Sequence, residues 1–324
     1  MTSTVLILGA VGRIGHVLAQ AFADAGWTVR AQARKSLPAE LAGRPGIELV
    51  TCDALDAAAL REAARGVDVV VHALNPVYTK WEGMVMPLAE AAIAAARDSG
   101  ALLMVPGNVY NFGRELPERL TLDTPERGDL PKARLRIEVE ARLAATPGLD
   151  SVVIRAGDSF GGSQKGSWFD VSMASRIKSG KFVYPGEPEL MHAWAYLPDL
   201  AQAFVRVAER RAELHGHRRF HFAGHAVTGN DMRAAMERAV GRPLRVASMP
   251  WWLMRLVAPV VPMMREVVTM SYLWKRPHRL DDSALREFIG PVPHTPLDQA
   301  LLGAWNALQP VSSSPADLSA SARA

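Results

Sequence analysis

One cysteine, Cys52, stands in 324 residues, so no internal disulfide can brace the chain and a reducing compartment is the expected setting. The first strand is expected to begin at about residue 4, which leaves no room for a signal peptide, and the expected location is the cytoplasm. Long hydrophobic runs are also missing. The longest, Trp251 to Met264, is interrupted by Arg255, Pro259 and Pro262 and is too short to cross a bilayer, which excludes stable membrane insertion. Neither sign of charge dominates: 37 Lys and Arg against 33 Asp and Glu give a net +4. The basic residues are scattered, with no Lys/Arg run interleaved with aromatics, so a nucleic-acid groove is not expected. No GxSxG nucleophile motif occurs. His215, His217, His221 and His225 crowd together without a Cys or carboxylate at ligand spacing, so they read as a surface turn and strand and no metal site is expected.

What the chain does have is a strong opening. Val5-Leu6-Ile7-Leu8 reads as a strand buried on both faces, and Gly9-Ala10-Val11-Gly12-Arg13-Ile14-Gly15 follows it. Beyond the glycines, Ile14, Val17, Leu18, Ala21, Phe22 and Ala25 recur at helical spacing until Gly26. A buried strand, a glycine turn and an amphipathic helix together form a diphosphate site. Glycine permits the sharp turn and close backbone approach, and the helix N-terminus presents free N–H groups and a positive dipole end. The seven residues Gly9 to Gly15 are therefore the expected cofactor cradle.

The second strand, Thr28 to Gln32, runs into Ala33-Arg34-Lys35. A dinucleotide fold reads the adenosine ribose there, with an acid for the 2′-hydroxyl of NAD or arginine for the 2′-phosphate of NADP. Arg34 and Lys35 stand without a carboxylate, and Arg13 adds a third cation beside the glycines, so NADP is favoured while NAD stays open. Further strands are expected at 47–50, 67–74, 101–105 and 151–155, with helices at 56–65 and 84–99, the latter with Pro87 in its first turn. This regular alternation is the pattern of an α/β, doubly wound parallel sheet of the Rossmann type. A smaller, mostly helical C-terminal substrate domain is expected to cap it. The expected division places the dinucleotide-binding domain at 1–158, with 192–224 returning to it, the substrate domain at 159–191 and 225–310, and a disordered tail at 311–324.

These elements resemble the extended and atypical short-chain dehydrogenase/reductase superfamily, of the NAD-dependent epimerase/dehydratase type. The likeness rests on the three glycines, on Asp53 after the third strand, on His72-Ala73 ending the fourth and on Val109-Tyr110 after the fifth. It rests further on Arg155-Ala156-Gly157 and on Tyr196-Leu197-Pro198-Asp199-Leu200-Ala201. The resemblance implies that Asp53 and Ala54 hold the adenine and that Ala73 lies beside the cofactor ribose. The superfamily's catalytic set does not carry over, because Pro106 occupies the serine position and no Tyr-x-x-x-Lys follows. In its place, Lys132-x-x-x-Arg136-x-x-x-Glu140 looks like the isoflavone-reductase-like and NmrA-like branch, where the lysine survives without the tyrosine. The resemblance implies an NAD(P)-dependent oxidoreductase or epimerase acting on a carbonyl or carbinol of a small molecule. The alternative it leaves is an NADP-binding, NmrA-like regulator without turnover.

Lys132 is the first candidate for a catalytic residue and Tyr110 the second, with Asn108 and Asn111 placed to polarise a substrate carbonyl. The bland alternative for Lys132 is a solvated helix start, with Arg136 and Glu140 forming an i,i+4 pair. His192, Trp194 and Tyr196 alternate along one face, as a pocket wall or as core. The segment Pro250 to Met264 is apolar nearly all round as a helix, and reads foremost as core of the smaller domain. A second reading makes it the roof of a pocket for a hydrophobic substrate, and a third, shallow membrane attachment, is weakened because no lysine-rich face accompanies the aromatics. A homodimer stays open.

Overall fold

The computed structural model describes residues 2–309; the expected tail at 311–324 lies outside the described residues. Strand β1 (Thr4–Leu8) enters helix α1 (Arg13–Asp24), and β2 (Thr28–Ala33) and β3 (Ile47–Thr51) follow. Helix α2 (Ala57–Ala63) is capped by the Asp56 carboxylate, which accepts from the Ala58 and Ala59 N–H groups. Next come β4 (Val69–His72), α3 (Trp81–Ser99), β5 (Leu102–Gly107), the two-residue β6 (Arg119–Leu120), α4 (Pro131–Ala145) and β7 (Ser151–Ala156). Then follow β8 (Asp158–Phe160), β9 (Lys181–Tyr184), β10 (Met191–Tyr196), α5 (Leu197–Glu209), β11 (His217–Phe222) and β12 (His225–Thr228). The chain ends its described part with α6 (Gly229–Val240), β13 (Arg245–Ser248), α7 (Trp251–Val257), α8 (Pro262–Thr269), β14 (Arg279–Leu280), α9 (Ser283–Ile289) and α10 (Leu297–Ala307).

Seven strands form one parallel sheet in the order β11-β7-β5-β4-β1-β2-β3. Its helices cover both faces, and β1 shows why the sequence demands that. Val5 and Ile7 enter one core with Phe22, Phe204, Phe220 and Leu285; Leu6 and Leu8 enter the other with Trp81, Ile93, Leu103 and Leu143. A strand with apolar residues at every position has two faces to bury, and only a covered parallel sheet buries both. The doubly wound α/β reading is thus borne out. The strand order reverses between β1 and β4, which opens a crevice beyond their carboxyl ends.

A second group of elements lies past residue 157. Strands β12, β10 and β8 make a small mixed sheet, and β9 pairs with β13. A third core of Phe160, Phe169, Trp194, Met232, Trp274 and Leu301 holds this region. Strand β10 pairs with β8 and β12, whereas β11 joins the large sheet beside β7.

Within the glycine-rich segment from Gly157 to Gly166, β8 pairs with β10 in register Trp194 with Asp158. Only glycine fits at 157: a Cβ there would meet the Ala193 carbonyl oxygen at 2.1 Å. Pro87 lies inside α3 rather than in its first turn, since buried Trp81 starts the helix and donates its indole N–H to the Pro76 carbonyl at 2.9 Å. The run from 250 to 264 is not core. Helix α7 contains no fully buried residue, and Trp252, Leu253, Leu256, Val260 and Val261 are all exposed. No helix among the described residues is long and apolar enough to cross a membrane.

Candidate cofactor and substrate site

The glycine turn closes on itself. Gly9 takes φ +80°, the left-handed region, and the Gly12 N–H donates back to the Gly9 carbonyl at 2.9 Å. A Cβ on Gly15 would stand 2.2 Å from that same oxygen, so helix and turn approach as closely as backbones allow. Gly12 is the N-cap of α1, which has no side-chain cap and no acid in its first turn. Its first N–H groups and its positive end therefore face the crevice unopposed. Ala10 is buried and its N–H donates to the Gln32 carbonyl at 3.1 Å, while Val11 and Gly12 are exposed and Ile14 is half-buried. Arg13 points elsewhere than expected. Its guanidinium donates to the Gln164 carbonyl at 3.1 Å and the Ser159 hydroxyl at 3.2 Å, with Asp170 at 3.8 Å. It is a clasp between the glycine turn and the second region, and is not a free cation for a 2′-phosphate.

At the end of β2, buried Gln32 braces the turn by accepting from the Gly9 N–H at 2.9 Å and donating to the Cys52 carbonyl at 2.7 Å. Arg34 and Lys35 are exposed just beyond it, and neither has an ion-pair partner among the described residues. Asp53 is exposed, with one carboxylate oxygen accepting from the Leu55 N–H; Ala54 is buried, and Ala73 follows β4 with its N–H on the Leu8 carbonyl.

Lys132 and Tyr110 are brought together through a residue that the sequence reading passed over. The hydroxyls of Tyr110 and Tyr78 are hydrogen-bonded at 2.8 Å, and the Lys132 ammonium stands 4.8 Å from the centre of the Tyr78 ring. Burial lifts both phenols above their ordinary pKa near 10, and lifts Tyr110 well above it. Lys132 is not at a solvated helix start: it is buried and ion-paired with Glu266 of α8. Its neighbours on α4 also differ from the simple pair. Glu140 accepts from Asn111 at 3.0 Å and from the buried Arg155 at 3.1 Å, whereas the Arg136 guanidinium lies 4.8 Å over the Trp81 ring. Asn111 is thereby locked beneath the site by donating to Glu140, whereas only the Oδ1 of Asn108 is engaged, accepting from the Tyr110 N–H in the turn.

Asp158, two residues past β7, is the group the sequence reading missed. Its carboxylate meets His192 Nε2 at 2.8 Å, and its charge raises the pKa of Tyr78, Tyr110, Tyr184 and Tyr272, each already lifted by burial. His192 stacks on Trp274 at 4.3 Å and meets the edge of His278 at 4.5 Å. Both the Tyr272 hydroxyl and Arg136 Nε are buried without a hydrogen-bond partner among the described residues. The result is an aromatic cluster with one carboxylate, two linked phenols and a lysine, at the carboxyl ends of β4, β5 and β7, where a parallel sheet of this kind opens its crevice. Of the expected pocket wall, His192 reaches this cleft, while Trp194 is packed into the third core. The histidines at 217 and 221 serve the sheet, bonded to the Ser151 hydroxyl and the Leu120 carbonyl.

The chain superposes on UDP-glucose-4-epimerase from Stenotrophomonas maltophila with TM-score 0.75 at 16% identity, covering 95% of this chain and 98% of that one. The fold is that of UDP-glucose 4-epimerase. It is also similar to WbmH of Bordetella bronchiseptica in complex with NAD+, with TM-score 0.72 at 19% identity over 95% of this chain and 98% of that one. The NmrA-like family model matches residues 1–97. Among curated proteins, a 3-diazoavenalumate denitrifying reductase from Streptomyces is 29% identical over 226 residues, 64% of this chain and 73% of that protein. Fold and family match together bear out the resemblance read from the motifs; the Lys132-x-x-x-Arg136-x-x-x-Glu140 run lies beyond the matched 97 residues.

Proposed function

We propose that the chain is a reductase that uses a nicotinamide dinucleotide, NADP in preference to NAD, to reduce a small, uncharged aromatic substrate. The observation that carries this reading is the closed glycine turn: Gly15 leaves no room for a Cβ against Gly9, and behind it an uncapped helix end faces the crevice. Gly9 to Gly15 would hold the diphosphate, Asp53, Ala54 and Ala73 the adenosine side, and Arg34 with Lys35 the 2′-phosphate. When bound, the cofactor supplies hydride transfer.

What this chain's own residues do follows from the cleft. Tyr110 and Tyr78, with pKa values above 10, keep their protons at neutral pH, so the pair can donate a proton and cannot abstract one. That suits reduction, in which the oxygen of the substrate gains a proton, better than oxidation of a carbinol. The proton would leave Tyr110 Oη or Tyr78 Oη, with Lys132 beside the phenol to steady the charge left behind. Asp158 and His192 would orient the substrate, and the surrounding Trp81, Tyr272 and Trp274 rings would exclude water. Two findings on other proteins agree: the Streptomyces relative is named a reductase, and solved neighbours carry NAD.

A second reading is favoured by one observation. Lys132 is already paired with Glu266 and Tyr110 with Tyr78, as in a binding protein whose catalytic groups are occupied. Titration with NADPH and NADH followed by fluorescence, then a panel of aromatic aldehydes and ketones with absorbance recorded at the nicotinamide band, separates the two. Consumption of NADPH supports the reductase. Tight binding with no consumption across the panel supports the regulator, and no binding of either dinucleotide refutes both.

A further inference from the structure

The helical hairpin of α7 and α8 remains unused by the cleft on its outer side. Trp252 is 69% exposed, Leu256 70% and Val260 80%, with Leu253 and Val261 also open to solvent. Five large apolar side chains within ten residues form a ridge that water alone would leave at a cost, and such ridges on folded proteins mark a partner surface. The charges around it say which partner. The forty residues 241–280 contain seven Lys and Arg and a single acid, Glu266. That acid is consumed by Lys132, while Arg245, Arg255, Arg265 and Lys275 are exposed and have no carboxylate partner among the described residues.

We propose that the α7–α8 hairpin is a peripheral docking site for an anionic lipid surface. Trp252, Leu253, Leu256, Val260 and Val261 enter the headgroup boundary, and the arginines and Lys275 bind the lipid phosphates. Exposed Trp252 and Leu256 flanking Arg255 on a short helix fit a segment that lies in an interface plane, and each nearby cation adds attraction to anionic lipid. A second copy of the chain fits worse. A two-fold contact would set this net-positive stretch against itself, with like charges facing across the ridge. The same hairpin reaches the cleft from its other side through Glu266, so docking would hold the cleft beside the lipid.

Co-sedimentation of the full chain with vesicles of phosphatidylcholine alone, and of phosphatidylcholine mixed with phosphatidylglycerol, tests this. The protein is expected to bind the mixed vesicles, and less so as salt is raised. Replacing both Trp252 and Leu256 by serine should weaken that binding at least about tenfold, and Arg255→Ser about fivefold. Because both apolar side chains are largely exposed, the double variant should melt with the parent, which shows that it is folded. Failure of the parent to bind the mixed vesicles would overturn the proposal, as would unchanged binding by the double variant. A concentration-dependent dimer that the double variant abolishes, without vesicle binding, would assign the ridge to a second copy instead.

Discussion

Acid should unfold this protein early, and the buried histidines set the scale. Burial holds His72, His221 and His225 down to about 4 and His278 down to about 3, from an ordinary value of 6.5. For His278 the neighbouring His192 pushes the same way. Its Nδ1 proton is committed to the Arg276 carbonyl at 3.1 Å, and its Nε2 is buried with no partner to receive a second proton's charge. The folded pKa lies below the unfolded one, so between 6.5 and 4 the unfolded chain binds protons that the folded chain refuses. Stability is therefore full above 6.5, falls as the pH falls through that window, and levels off below the folded pKa. From about pH 7 to about pH 5 each such ring costs about 2 kcal/mol, and four cost roughly 7 kcal/mol. That is comparable with the whole stability of an ordinary domain, about 5–15 kcal/mol. Urea titrations across that range, followed by tryptophan fluorescence, would read the loss. The His278→Gln variant should lose about 2 kcal/mol less than the parent over the same interval, which isolates the imidazole from the carboxylates. Equal pH dependence of parent and variant would refute the burial argument for that ring, and a flat stability curve in the parent would refute it for all four.

Arg34→Asp should remove or invert the preference for NADPH, a change of roughly 10- to 100-fold in affinity if a charge-assisted contact of about 1.5–3 kcal/mol is lost; calorimetry with both dinucleotides checks it. Gly15→Ala should cost about 1–3 kcal/mol of stability through overpacking against Gly9, seen as a lowered melting temperature, together with loss of dinucleotide binding. Lys132→Met should abolish NADPH consumption and, by leaving Glu266 without its partner, cost about 1–3 kcal/mol in a denaturant titration. UDP-glucose should bind poorly, if at all, and Asp158→Asn should improve it, as judged by calorimetry of parent and variant.

The large sheet was legible, apart from its edge strand β11, because its central strands carry their own signal. A run such as Val5 to Leu8 or Val69 to Val71 has no polar side to show to water, and the glycines after β1 admit few other uses. The proposed cofactor half of the site is legible for the same reason: it is built from consecutive residues of one turn. The cleft is not. Tyr78, Asp158, His192 and Glu266 come from four separate stretches, and none has a periodic or spaced signature before the fold assembles them. One faint signal existed for Asp158, a charged residue directly after the apolar β7 and a glycine that must be small. The exposed hairpin misled for a different reason. Burial is read from hydrophobicity on the assumption that apolar residues have protein above them, and Trp252 and Leu256 do not.

The carboxylate in the cleft bears on how one frame can serve different substrates. The solved neighbours include MoeE5 in complex with UDP-glucose and NAD, on the same fold at 16% identity. A diphosphate sugar brings negative charge into its site and calls for cations there. Here most cations near the cleft are already spent: Arg13 on Ser159, Gln164 and Asp170, Lys132 on Glu266, and Arg155 on Glu126 and Glu140, while Arg136, with no ion pair among the described residues, lies over the Trp81 ring. What remains facing inward is Asp158 with His192, a hydrogen-bonded phenol pair and the faces of Trp81 and Trp274. Like charges at close range in a partly dry cleft cost several kcal/mol, whereas flat uncharged rings find stacking partners and a hydrogen-bond acceptor. The absence of a Tyr-x-x-x-Lys sequence and the presence of Asp158 beside the phenol pair are thus consistent with the proposed preference for an uncharged ring over a diphosphate sugar.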